Sequence, residues 1–209
     1  MKRLLTAIVF AALGVLVSAQ GMPRMSVEPG GRITYFINTG KPDASYSPAD
    51  RELAVWALDD WARATGRAIR FDEVKTEEAA LLRINWVAAG GGQYGEMRPV
   101  LLGDGRRGAA VFIRPDTEGL GPDIALRARQ DPLFRDTIVY LTCVHEIGHA
   151  LGMEHTAQFA DIMFFFGYGG DIPGFFARYR DRIAKRGEIP KVSGLSAADI
   201  SRVRNLYAR

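Results

Sequence analysis

Cysteine is nearly absent. Cys143 is the single thiol in 209 residues, which excludes an intrachain disulfide framework and any cysteine-rich metal knuckle. Histidine is almost as scarce: His145, His149 and His155 are the only three, and all fall within one window of eleven residues. No histidine is left elsewhere for a Ser-His-Asp relay. A strong charge of either sign is also lacking. The formal balance is +3, and setting aside Lys2 and Arg3 leaves 25 basic against 24 acidic side chains. Charge therefore gives no ground for a nucleic-acid partner or an anionic membrane surface. What the chain does have is a hydrophobic share of 47 %, enough for one domain with its own core.

Apolar runs of membrane-spanning length are missing too. The run Leu4 to Val17 has 14 residues, whereas a spanning helix needs about 20. It follows Lys2 and Arg3 and ends on the small residues Val17-Ser18-Ala19, the pattern of an export signal removed after residue 19. The competing reading is an uncleaved anchor. No cysteine directly follows the run, so a lipoprotein anchor is excluded. The expectation is a signal over 1–19, a tail over 20–31, and an exported protein, secreted or periplasmic, with no stable membrane anchor.

Arg32 to Asn38 alternates as a first strand. Ser47-Pro48-Ala49-Asp50 carries a cap, a proline and an acid where a helix starts, and Leu53, Trp56, Ala57, Trp61 and Ala64 share one helical face up to a stop at Gly66. Ile69 to Val74 and Leu81 to Val87 follow as strands. From Ala88 to Gly108 glycine is dense, and the segment reads as a long loop. Within it Gly103 to Gly108 matches G-x-G-x-x-G, but the β-prone Ala109 to Arg114 follows where a dinucleotide site needs a helix. A helix opening at Asp131-Pro132 or at Asp136 carries the histidines to Gly152. Phe175 to Lys185 reads as a basic amphipathic helix, and Ser196 caps a last one. Strands with one early helix, followed by later helices, make the class mixed α/β, with helices packed on a twisted sheet.

The histidine window reads His145-Glu146-Ile147-Gly148-His149-Ala150-Leu151-Gly152-Met153-Glu154-His155, or H-E-x-x-H-x-x-G-x-x-H. Residues four apart lie one turn apart on one helix face, so His145 and His149 can offer imidazole nitrogens to one tetrahedral zinc ion. Glu146 is rotated off that line, toward a water on the metal. Gly152 stands where the helix must stop and turn back, delivering His155 as third ligand. Three histidines leave a fourth position open, as in catalytic zinc sites. Cys143, Ile147, Ala150 and Leu151 fall on the opposite face and read as packing. The plain alternative is that the histidines are surface or satisfied core residues.

With this motif, with Met163 eight residues beyond His155 in Asp161-Ile162-Met163, and with the ending Leu195 to Tyr207, the chain resembles the metzincin zinc metalloproteases of the matrixin-like group. The resemblance implies a zincin-like α+β fold over 32–209. Its parts are a twisted five-stranded sheet packed on a zinc helix at about 136–151 and a small C-terminal subdomain over 153–209. It implies Met163 as a hydrophobic floor that does not bind the metal, and Ala109, Ala110, Val111 and Phe112 as the edge strand that pairs with an extended substrate. The implied function is an endopeptidase in which zinc lowers the pKa of its water toward about 7 and Glu146 acts as general base. The alternatives are a zinc-binding but inactive binding or inhibitory protein, or a tethered protein using the basic helix on anionic surfaces.

Departures from the family carry expectations of their own. About a dozen residues separate the cleavage point from the first strand, so a propeptide with a cysteine latch is not expected. A second, histidine-bound zinc has no ligands left. Structural calcium at Asp104, Asp116, Glu118 or Asp123 stands open against simple solvation. The long segment 164–194, with Phe164, Phe165, Phe166 and Tyr168, either lines a pocket for apolar side chains or anchors an inserted helix. The expected partners are protein or peptide substrates of a monomeric enzyme, with zinc as cofactor.

Overall fold

The computed structural model describes residues 24–88 and 94–208; the export-signal reading lies outside them. Strand β1 (Arg32–Ile37) forms because alternate residues can be buried on one face: Ile33, Tyr35 and Ile37 all enter the core. It pairs in parallel with β2 (Arg70–Glu73) on one side and β3 (Leu82–Trp86) on the other. Leu82, Ile84 and Trp86 are buried on β3 as their spacing predicts. Strand β5 (Arg107–Ile113) runs parallel to β3, and β4 (Gly95–Leu101) lies antiparallel outside it, giving the order β2-β1-β3-β5-β4. The fold is mixed α/β, on a five-stranded and mostly parallel sheet.

The expected loop over 88–108 is corrected here, because 95–101 is a strand. As an edge strand β4 needs no hydrophobic face, and most of its residues are half-buried or exposed. Pro99 is tolerated there because an edge strand leaves one row of backbone groups unpaired. The sequence Gly103 to Gly108 covers the hairpin between β4 and β5, with Leu102 N–H donating to Arg106 O at 2.9 Å and Gly105 at φ +82°. The assignment of Ala109, Ala110, Val111 and Phe112 as the exposed substrate edge is corrected too. Those residues pair with β3 on one side and β4 on the other, so their backbone groups are already used.

Helix α1 (Asp50–Ala64) is led in by a turn in which Ser47 N–H donates to Asp50 Oδ2 at 2.8 Å, and it stops at Gly66, whose φ is +61°. Helix α2 (Pro122–Gln130) is short and was not expected. Asp131 then caps α3 (Pro132–Ala150), accepting from Leu133 N at 3.1 Å and Phe134 N at 3.2 Å. The helix therefore uses the earlier of its two expected starts. Helices α1 and α3 are joined through Trp61, fully buried, which donates Nε1–H to Val144 O at 2.9 Å. Tyr140 Oη–H reinforces the joint by donating to Asp60 Oδ2 at 2.9 Å, and Arg135 pairs with the buried Asp50.

The basic helix expected over 175–185 instead forms α4 (Ile172–Arg180), because Asp171 accepts from Gly174 N and starts it earlier. Helix α5 (Ala197–Tyr207) carries the capping box of Ser196 and Asp199 and packs against α1. Among the described residues no helix is long and apolar enough to cross a membrane.

Candidate metal centre

Helix α3 passes under β4 and β5, so its last two turns open beneath the edge of the sheet. His145 and His149 project from those turns, the first half-buried and the second buried. The helix closes with Gly152 N–H donating to His149 O and Met153 N–H to Gly148 O, both at 2.9 Å. Gly152 has φ +89°, and a Cβ there would also strike Arg24 Cγ at 2.2 Å, so glycine is required twice over. The chain then doubles back and presents His155, which is exposed.

The three rings converge as the sequence predicts. One ring nitrogen from each lies within 4.8 Å of the others, and among the described residues this is the group arranged to hold a metal ion. His145 Nδ1–H donates to Ile162 O at 2.7 Å and His149 Nδ1–H to Met153 O at 2.9 Å, which leaves both Nε2 atoms as bare acceptors. His149 Nε2 and His155 Nε2 stand 3.1 Å apart. Tetrahedral zinc with bonds of about 2.0–2.1 Å holds its nitrogens roughly 3.3 Å apart, so the donor set fits that ion in type and spacing. Burial pushes His145 down to about 3, with His149 adding to the shift, and pushes His149 down to about 4; His155 is also lowered by burial. Neutral imidazoles are what a metal requires.

Glu146 is buried beside them. Burial pushes its carboxyl up to about 8, the Glu96 charge adding to this and Arg114 opposing it. It is covered by Gly95 at the start of β4: a Cβ there would meet Glu146 Cγ at 2.7 Å and Oε1 at 2.9 Å. Met163 is fully buried, and a Cβ on Gly148 would meet its Sδ at 2.6 Å, which puts Met163 against the turn of α3 that carries the histidines. The segment around Met163 is tied down by Asp199, whose Oδ2 accepts from Ile162 N at 2.8 Å, and by Asp161, which accepts from Thr156, Ser196 and Arg202.

The site opens into a cavity of about 750 Å³ lined by the three histidines, Glu146 and an aromatic group that includes Tyr94, Phe164, Phe166, Phe175 and Phe176. Tyr94 lies 5.2 Å from Phe176 and 5.8 Å from Phe166, centroid to centroid. The two readings of segment 164–194 meet here, since Phe175 and Phe176 both anchor α4 in the core and line the cavity. Tyr94 and Gly95 were missed by sequence reading. Both lie in the segment read as loop, and only the pairing of β4 with β5 brings them to Glu146.

Among the described residues, the acidic side chains considered for calcium form no group of three or more that could hold a metal ion. Asp104 pairs with Arg106 at 2.7 Å, Glu118 pairs with Arg129, and Asp116 accepts from Glu118 N at 2.8 Å. Cys143 is fully buried, and burial raises its thiol well above the usual value, in keeping with a packing residue.

Comparison with known proteins bears on the same stretch of chain. Macrophage metalloelastase of Oryctolagus cuniculus is 30 % identical over 146 residues, covering 68 % of this chain and 29 % of that protein. The chain thus spans less than a third of that relative's length. Among solved structures, myroilysin aligns at 18 % identity with a TM-score of 0.42, covering 88 % of this chain and 86 % of that one. The family model for matrixins matches residues 28–169, from the bridge before β1, through all five strands and the histidine window, to beyond Met163, and the chain belongs to the matrixin family.

Proposed function

We propose that the protein is an exported zinc-dependent endopeptidase, with His145, His149 and His155 holding the ion and Glu146 as general base. The observation that carries this reading is the convergence of three imidazole nitrogens beside a buried carboxylate, in a cleft bounded by the free edge of a sheet. Bound zinc supplies Lewis acidity, lowering the pKa of a water toward about 7 and polarising a carbonyl. A dication held by the histidines would favour the ionised form of the carboxyl that burial alone raises, and in that form Glu146 takes a proton from the attacking water and passes it to the leaving amine nitrogen. Met163 gives the histidine turn a rigid apolar floor.

The substrate runs extended along β4, the strand with an unpaired outer row of backbone groups. This replaces the role first given to 109–112. The residue after the scissile bond enters the aromatic cavity, which favours a large apolar side chain.

The test is to purify the mature chain, measure zinc per chain, and assay cleavage of a diverse peptide library with and without chelator. One zinc per chain and chelator-sensitive cutting are expected. Glu146→Gln should keep the metal and lose cleavage. A metal-loaded Glu146→Gln protein that cuts as well as wild type overturns the mechanism, and a zinc-loaded wild type that cuts nothing favours the non-proteolytic alternative. Mass spectrometry of the exported protein should find an N-terminus near Gln20.

A further inference from the structure

His155 differs from the other two histidines in how it is held. His145 and His149 are each oriented by an Nδ1–H bond to a backbone carbonyl, the usual device for fixing a metal-binding imidazole. Among the described residues His155 has no such bond; its one polar contact is Nε2 against His149 Nε2. It also lies beyond the helix, on an exposed stretch of chain, with no rigid element to set its ring.

An aromatic ring stands where the missing bond would act. Phe165 stacks on His155 with centroids 4.7 Å apart and planes inclined by 28°. Backbone pairing sets this register: Thr156 N–H donates to Met163 O at 2.8 Å, and Phe165 N–H donates back to Thr156 O at 3.1 Å. The residues that follow His155 and Met163 are thereby clamped side by side. Tyr168 packs edge-on against Phe165 with centroids 5.2 Å apart. Gly167 leaves room for the ring, because a Cβ there would lie 2.2 Å from Phe165 Cε1 and 2.4 Å from Cζ. Phe164 and Phe175 are buried, but Phe165 is 41 % exposed, so hydrophobic burial does not by itself account for its position.

The geometry points to Phe165 as the positioning residue for His155: its ring, stacked on the imidazole, holds the third ligand in the orientation zinc needs, in place of the hydrogen bond that orients the other two. This rests on the zinc reading above. The chemistry is suited to the task, since an offset aromatic stack restrains the tilt of a ring and leaves both its nitrogens free.

The test measures zinc release from the full chain into excess chelator, for wild type, Phe165→Ala, Phe165→Tyr and Gly167→Ala. Loss of the stacked ring should speed release about tenfold, the low end for losing a group that orients a ligand. Gly167→Ala should do the same, because the three atoms nearest its methyl, all at 3.0 Å or less, belong to the Phe165 ring. Phe165→Tyr should restore wild-type release. The visible spectrum of the cobalt-substituted protein should change in Phe165→Ala and return in Phe165→Tyr, a signature that a purely structural role would not produce.

Phe165→Ala that retains zinc as long as wild type overturns the proposal. So does a variant whose only defect is a raised KM for peptide, which would assign the ring to the substrate. A wild type that holds no zinc refutes the metal centre itself, a result distinct from either.

Discussion

Replacing Gly95 with alanine tests how Glu146 is kept in place. The new methyl would stand 2.7 Å from Glu146 Cγ, 2.8 Å from Thr142 Cγ2 and 2.9 Å from Glu146 Oε1. Ordinary contacts between carbons lie at about 3.5–4.0 Å, so roughly 1 Å of movement is forced. The strand cannot supply it, because Gly95 is paired with Ile113 and Arg114 N–H donates to Tyr94 O at 3.0 Å. Thr142 is also held, its Oγ1–H donating to Ile138 O at 2.8 Å. The flexible Glu146 side chain is what yields.

A displacement of about 1 Å in a reacting group costs around 100-fold in rate, or about 2.7 kcal/mol on the barrier. Overpacking adds a stability loss of about 1–3 kcal/mol. The assay is kcat/KM on a cleaved peptide, with zinc content and the urea midpoint measured on the same preparation. Thr142→Ser removes one of the crowded atoms, so the double variant should regain stability but not activity. Gly103→Ala, with nothing within 4 Å of its methyl, should match wild type. A folded, zinc-loaded Gly95→Ala enzyme with wild-type kcat/KM refutes the reasoning.

Two further outcomes are expected. Asp199 is fully buried and accepts from Ile162 N, from Ser196 N at 2.9 Å and from Arg202 Nη2 at 2.6 Å. Asp199→Asn should therefore cost about 2–3 kcal/mol in urea unfolding and speed zinc release, since Ile162 O orients His145; an unchanged midpoint would contradict this. In the metal-free protein, His145 and His149 hold their protons only near pH 3 and 4, below the ordinary value of 6.5. Between those limits the unfolded chain binds two protons that the folded histidines refuse, while Glu146, raised to about 8 by burial, holds one proton that the unfolded chain has released above about 4.5. The two histidines outweigh the one carboxyl below about pH 6, so stability should fall as pH drops from about 6 toward 4. Asp161 acts in the same direction at lower pH: burial raises its carboxyl, but Ser196, Thr156 and Arg202 together hold it below the usual 3.8. Urea midpoints of chelator-treated protein across that range are the measurement, and a flat profile would count against the buried, neutral histidines.

What could be read in the sequence depended on whether the cause was local. The H-E-x-x-H window, the Asp131 and Ser196 caps and the stop at Gly66 each act over a turn or two of chain, and each stands where the spacing put it. Strand β4 did not show itself, because an edge strand with one solvated side keeps no alternating pattern, and Pro99 and the flanking glycines look like a loop. Misplacing β4 also misplaced the free edge, since the strand that appeared last in the sheet was in fact enclosed. The shift of α4 had a different origin: Asp171 caps a helix whose first residues, Ile172-Pro173-Gly174, have poor helix propensity on their own.

The motif names the ligands but says little about what orients them, and the reason is chemical. His145 and His149 are fixed by the carbonyls of Ile162 and Met153, and every residue carries a carbonyl, so those positions leave no mark in the sequence. Tertiary structure alone decides which carbonyl faces which ring. An orienting group built from a side chain does leave a mark. On this argument Phe165, with Gly167 two residues on making room for its ring, is a ligand-orienting group that the sequence itself records, and substitutions at these two positions should disturb His155 more than the other two ligands.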